Sequence, residues 1–218
     1  MPTVLITGAN RGIGLEFARQ YSGGGWDVVA TVRESSPELD ELGVRIETLD
    51  MSDLAAVAGF GGRLQNLDLL IANAGTYGPR SVTSAEDGEG WLETFAVNTV
   101  APYLLAKSVL PLVSRSAGKL VAITSRMGSI DDNTTGGFIA YRSSKTALNS
   151  AWRNLAIASR EKVVCAVLHP GWVQTRMGGS SAPLQPEDSV AGMRKVIDEL
   201  SEAESGGFFS YDGSEIGW

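Results

Sequence analysis

The strongest constraint on how this chain can fold is an alternation. Short apolar, β-branched runs at 3–7, 27–32, 44–49, 67–72, 119–124, 162–168 and 207–211 are separated by longer amphipathic stretches. Most of these runs are apolar throughout, so they read as strands buried on both faces, which is the pattern of a parallel sheet. Helices are predicted near 12–22, 52–60, 90–113, 141–160 and 186–201, with a weaker one near 36–42. Parallel strands need crossovers, and right-handed crossovers through helices give a doubly wound α/β sandwich. No linker, fixed-period repeat or low-complexity tract breaks the pattern, so residues 1–218 are read as a single domain.

Composition then excludes whole classes of function. The one cysteine, Cys165, can form no internal disulfide, and the one histidine, His169, leaves no thiolate and imidazole set for zinc, so no metal site is expected. A net charge of -7 argues against nucleic acid or an anionic membrane as partner. No run of about 20 apolar residues occurs, so no transmembrane helix is expected. The start, Met1-Pro2-Thr3-Val4-Leu5-Ile6-Thr7, reads as a first strand and not as a signal peptide. The expectation is a cytoplasmic protein.

Glycine is in excess, 26 in 218 residues, against a usual share of roughly 7%. The informative ones lie in Thr7-Gly8-Ala9-Asn10-Arg11-Gly12-Ile13-Gly14, which joins the first strand to the first helix. A helix amino terminus offers unpaired N–H groups and a positive dipole end, which suits a pyrophosphate, and glycine lets backbone approach it. The spacing is Gly-x3-Gly-x-Gly and not the usual Gly-x-Gly-x2-Gly. NAD binders usually carry an acid about 20 residues further on, to bind the ribose hydroxyls. That position falls on Val32 here, with Arg33 beside it and Arg11 in the loop, which favours a 2′-phosphate and hence NADP(H) over NAD(H). Glu34 as the acid, with Arg33 a solvated surface residue, is the alternative.

Tyr141-Arg142-Ser143-Ser144-Lys145 opens a predicted helix and places Tyr141 and Lys145 on one face. An ammonium beside a phenol lowers the phenol pKa from about 10, which makes Tyr141 a plausible proton donor to a carbonyl oxygen. Ser125 ends the fifth run, on the carboxyl edge of the sheet where the crevice of such a fold lies.

With these residues the chain resembles the short-chain dehydrogenase/reductase family. The matching motifs run nearly end to end: Thr7 to Gly14, Leu49-Asp50, Asn73-Ala74-Gly75, Val97-Asn98, Thr124-Ser125, Tyr141-x3-Lys145 and Pro170-Gly171-x3-Thr175. Within the family it is most similar to the group of C-factor and sniffer-type carbonyl reductases, through Gly128-Ser129-Ile130, Asn133-Thr134, Gly136-Gly137, His169-Pro170-Gly171-Trp172-Val173 and the ending from Phe208 to Trp218.

The resemblance implies a Rossmann-type fold of about seven strands in the order 3-2-1-4-5-6-7. It implies that Tyr141 is the acid/base and that Lys145 lowers its pKa and binds the nicotinamide ribose. Ser125 would bond the substrate carbonyl, and Asn98 would hold a water in a proton relay at a helix kink. For the cofactor it implies Gly8, Asn10, Arg11, Gly12, Ile13, Gly14 and Arg33, then Asp50 and Met51 at the adenine, Asn73, Ala74 and Gly75, and finally Pro170, Gly171, Val173 and Thr175 toward the nicotinamide. Departures are Ala72 where the family usually has asparagine, the wider spacing of Ser125 from Tyr141, and Arg176 where an acid is common.

Two functions follow. One is reduction of a ketone or aldehyde with hydride from NADPH, with a small carbonyl or alcohol as substrate. The other is a dinucleotide-binding signalling or sensor protein of the C-factor type. His169 and Cys165 read as structural. The apolar stripe Ala147, Leu148, Ala151, Trp152 and Leu155 packs on the sheet and leaves a surface for a homodimer, with a monomer equally compatible. Only 178–186 separates Thr175 from the last helix, so a short lid and an open pocket are expected.

Overall fold

The computed structural model describes residues Met1–Trp218. Seven strands form one sheet: β1 (Thr3–Thr7), β2 (Asp27–Val32), β3 (Arg45–Thr48), β4 (Leu69–Ala72), β5 (Lys119–Ile123), β6 (Val164–His169) and β7 (Gly207–Ser210). Their order is β3-β2-β1-β4-β5-β6-β7 and every pairing is parallel. This is the Rossmann-type order that the resemblance implies. The chain winds outward from β1 to β3 and then returns to place β4 on the other side of β1, so the topological switch, and with it the crevice, lies at the carboxyl ends of β1 and β4.

Alternate residues of each strand feed two cores, because side chains in a strand point to opposite faces. On one face Leu5, Val29, Leu70 and Leu120 pack with Val57 of α3 (Leu54–Gly59), with Leu105 and Val109 of α5 (Ala101–Arg115) and with Trp152 and Leu155 of α6 (Ile139–Ala158). On the other, Val4, Ile6, Val28 and Val121 pack with Phe17 and Tyr21 of α1 (Gly12–Gly23), with Leu39 of α2 (Pro37–Asp40) and with Val190 and Met193 of α7 (Pro186–Glu199). The α6 stripe divides as expected. Leu148, Trp152 and Leu155 are buried, while Ala147 and Ala151 are half-buried.

The differences from expectation are local. Helix α4 (Ala85–Phe95) starts earlier than predicted, because Ser84 and Asp87 form a reciprocal capping box that outweighs Gly88 and Gly90 in the first turns. A π-helical turn at Ala96–Val100 joins α4 to α5, and Asn98 lies in it. The continuous helical run Ala85–Arg115 is long and apolar enough, by length and composition, to cross a membrane. Its residues Ala101, Leu105, Val109 and Val113 are fully buried against the sheet, as in a core helix. Strand β3 is shorter than predicted and only partly buried, because it is the outer strand of the sheet.

Candidate active site

The crevice is built from loops at the carboxyl ends of β1, β2, β4, β5 and β6. Gly8 and Gly12 have φ of +67° and +54°, the left-handed region where a side chain is strained. Gly14 is demanded by packing: a Cβ there would run into the Gly8 carbonyl and the Asn73 side chain. The glycines therefore serve the chain's own close packing as well as any approach to a ligand. The first turn of α1 has neither a capping side chain nor an acidic residue, so its N–H groups stay available. Asn73 fastens the ends of β1 and β4 together. Its N–H and that of Ala74 donate to Thr7 Oγ1, both at 3.0 Å, and its Nδ2 donates to the Thr7 carbonyl at 2.9 Å. The Thr175 methyl lies against Gly12, which brings the segment after β6 onto the glycine loop.

Arg11 and Arg33 are both exposed at this end and neither is ion-paired. Val32 is buried in the core. Asn10 Nδ2 donates to the Glu34 carbonyl at 3.0 Å, tying the glycine loop to the end of β2. The Asp50 carboxylate accepts from the N–H and Oγ of Ser52; these bonds hold its pKa down, and Arg33 nearby adds a smaller pull. The Met51 and Val173 side chains are buried, Met51 among core residues, and the Val173 backbone bridges to Leu184. A glycine loop free of competing carboxylates and two unpaired guanidiniums form an anion cradle that fits a phosphorylated dinucleotide.

The second group lies beyond β4 and β5. Asn98 is fully buried. Its Nδ2 donates to the Thr76 carbonyl (2.8 Å) and to Ser144 Oγ (3.0 Å), and its Oδ1 accepts from Thr76 N–H (2.8 Å). Both amide protons are thus spent on joining the loop after β4 to α6, and the side chain acts as a pin. Ser125 caps the turn Arg126–Gly128 by accepting from Met127 N–H at 3.1 Å, which leaves its own proton free. Gly75 lies between the two groups, since a Cβ there would be 3.2 Å from Asn98 Oδ1 and 3.6 Å from Lys145 Nζ.

Tyr141 is only 7% exposed, and Lys145 Nζ sits 5.8 Å from its ring centroid. The ammonium donates to the Ile123 carbonyl at 2.8 Å. Burial pushes the Tyr141 phenol up, Tyr77 adds to the rise, and the Ser125 hydroxyl opposes it. This is opposite in direction to the lowering expected from the Tyr-x3-Lys spacing. Lys145 itself is pushed down to about 8 by burial.

Sequence reasoning missed the aromatic wall. Tyr77 packs edge-on against Tyr141 with ring centroids 4.7 Å apart, and Phe138 lies 5.9 Å from Tyr77. Phe138 is left-handed (φ +50°) and follows Gly136 and Gly137, which are left-handed too. The glycine pair was the only available signal for this sharp entry into α6. The segment after β6 is a closed loop: Gln174 N–H donates to the Leu184 carbonyl and Trp172 Nε1 to the Gly178 carbonyl, both at 2.8 Å. Burial lowers the His169 pKa to about 4 and raises that of Cys165 to about 12, so both stay neutral near pH 7.

A family model described as short chain dehydrogenase matches residues 2–185. The chain is 46% identical over 154 residues to the C-signal protein of Myxococcus xanthus, which covers 70% of this chain and 93% of that protein. Among solved structures, the carbonyl reductase Sniffer of D. melanogaster matches with a TM-score of 0.90 and 34% identity over 100% of both chains. The NADPH-bound carbonyl reductase from chicken fatty liver matches with a TM-score of 0.89 and 32% identity, over 100% of this chain and 99% of that one.

Proposed function

This chain belongs to the short chain dehydrogenase family, and from that premise we propose that it is an NADPH-dependent carbonyl reductase acting on a small ketone or aldehyde. The observation that carries the reading is the convergence of Ser125, Tyr141 and Lys145 at the crevice, with the phenol buried and the Lys145 ammonium 5.8 Å from its ring centroid.

Arg11 and Arg33 hold the 2′-phosphate, the open first turn of α1 with Gly8, Asn10, Gly12, Ile13 and Gly14 holds the pyrophosphate, and Asp50 borders the adenine site. Asn73, Ala74 and Gly75 shape the middle of the crevice, and Pro170, Gly171, Val173 and Thr175 form its wall beyond β6. When bound, the reduced dinucleotide supplies the hydride.

Ser125 donates to the substrate carbonyl oxygen and holds it beside the phenol. Tyr141 gives its proton to that oxygen as the alcohol forms. Lys145 holds the end of β5 to α6 and stands beside the phenol, so its ammonium stabilises negative charge left on the tyrosine oxygen. Asn98 acts through position, keeping the Thr76 loop and Ser144 in register with that pair.

A second reading, a dinucleotide-dependent signalling protein, is favoured by the likeness to C-signal. The assembled Ser125 and Tyr141 pair favours catalysis, since a sensor needs the glycine loop but not the phenol. The test is NADPH consumption with a panel of aldehydes, quinones and diketones, using the wild type and Tyr141→Phe. A signalling role independent of catalysis would survive Tyr141→Phe and fail with a Gly14 substitution.

A further inference from the structure

Two segments that the sequence comparison singled out, 128–130 and 208–218, meet in the structure. After β7 the chain turns at Asp212 and runs back antiparallel along it. Ser210 N–H donates to the Ser214 carbonyl at 2.8 Å, and Ile216 N–H to the Phe208 carbonyl at 2.9 Å. Ile216 is buried in the core, and the Trp218 ring lies 5.8 Å from that of Phe208. The returning segment ends on the loop that leaves Ser125. The carbonyl of Trp218 accepts from the N–H groups of both Ile130 and Asp131, each at 3.0 Å.

That loop forms a strut closed by its own hydrogen bonds. The Ser125 carbonyl accepts from Gly128 N–H at 2.8 Å, the Arg126 carbonyl accepts from Ser129 N–H at 3.0 Å, and Ser129 Oγ accepts from Asp132 N–H at 3.1 Å. Arg126 pairs with Asp132 at 3.0 Å. Gly128 sits hard against α6, where a Cβ would be 2.9 Å from Lys145 Cβ. One end of the strut is Ser125 and the other is held by Trp218.

We propose that the segment Asp212–Trp218 is a brace that sets the position of Ser125, and that Trp218 is a positioning residue for the substrate carbonyl. The catalytic part of this rests on the carbonyl reductase reading, while the brace itself does not. Trp218 is 42% exposed, so its removal spares the core. Losing the ring contact with Phe208 frees the end of the segment, releases the Ile130 and Asp131 amides, and lets the strut shift.

The test is Trp218→Ala and Trp218→Phe, in the wild-type and in the Ser125→Ala background, read two ways. By amide exchange, Trp218→Ala strips protection from residues 127–131 and leaves β1 unchanged, and Trp218→Phe restores it. By kinetics with NADPH and a small carbonyl, Trp218→Ala lowers kcat about tenfold in the wild-type background. In Ser125→Ala the same change moves kcat by less than about twofold, because neighbours that act as one unit are not additive. NADPH affinity stays within about twofold in all variants, since the residues assigned to the 2′-phosphate and pyrophosphate follow β1 and β2. Unchanged exchange at 127–131 overturns the brace. Equal rate losses in both backgrounds overturn its action through Ser125. If the wild type reduces no carbonyl, the functional reading fails, and the exchange result still decides the brace.

Discussion

The ammonium of Lys145 lies 5.8 Å from the centre of the Tyr141 ring, one turn along the same helix, and is bonded at 2.8 Å to the Ile123 carbonyl at the end of β5. That contact joins α6 to the central sheet, as do the bonds from Trp152 Nε1 to the Leu120 carbonyl and from Thr124 Oγ1 to Asn149 Oδ1. It also places a charge where burial lowers its pKa to about 8 from 10.5.

The consequence for stability is pH-dependent. Between about 8 and 10.5 the unfolded chain holds a proton on Lys145 that the folded one does not, so the stability of the wild type rises with pH across that window. At about 1.4 kcal/mol per unit the rise is at most about 3.5 kcal/mol. Lys145→Met lacks it. Urea unfolding of both proteins from pH 7.5 to 10.5 is expected to show the wild type gaining relative to the variant. A difference that stays flat with pH contradicts the burial.

Gly14 faces the Gly8 carbonyl and the Asn73 side chain with no space for a methyl group. Gly14→Ala is therefore expected to destabilise the fold by about 1–3 kcal/mol through overpacking. It is also expected to lose dinucleotide binding, because α1 must move away from β1. Gly136→Ala is no equivalent control, since Gly136 is left-handed. Gly23, which has open space around it, is one, and Gly23→Ala should leave the melting temperature and cofactor binding nearly unchanged.

Arg11, in the loop after β1, and Arg33, at the end of β2, are both exposed and without an ion pair. Charge-assisted bonds of this kind are worth about 1.5–3 kcal/mol, less at an exposed site. Arg33→Ser is expected to weaken NADPH binding about tenfold and to leave NADH within about twofold, measured by calorimetry. An equal loss for both dinucleotides means that Arg33 does not reach the 2′-phosphate.

How much of this was legible in the sequence depends on the range of the interaction. The strands 3–7 and 27–32 were read at their observed limits, because buried parallel strands are continuous apolar runs. The sheet order and the pairing of Tyr141 with Lys145 followed from motifs in sequence. Long-range packing decided the rest. Nothing local announced that Gly14 is required by Gly8 and Asn73, that Met51 and Val173 turn inward, or that Tyr77 leans on Tyr141. Phe138 adopts a left-handed backbone that only the preceding glycines hint at. The spacing shows the lysine beside Tyr141, but not the depth at which the phenol is buried.

The most direct measurement is the NADPH-dependent rate of Tyr141→Phe against the wild type on one reactive carbonyl, with NADPH affinity measured on the same samples. The expected result is a fall in kcat of about 10²–10⁴ with the NADPH dissociation constant within about twofold. Equal rates in the two proteins would contradict the assignment of Tyr141 as the proton donor and with it the proposed mechanism.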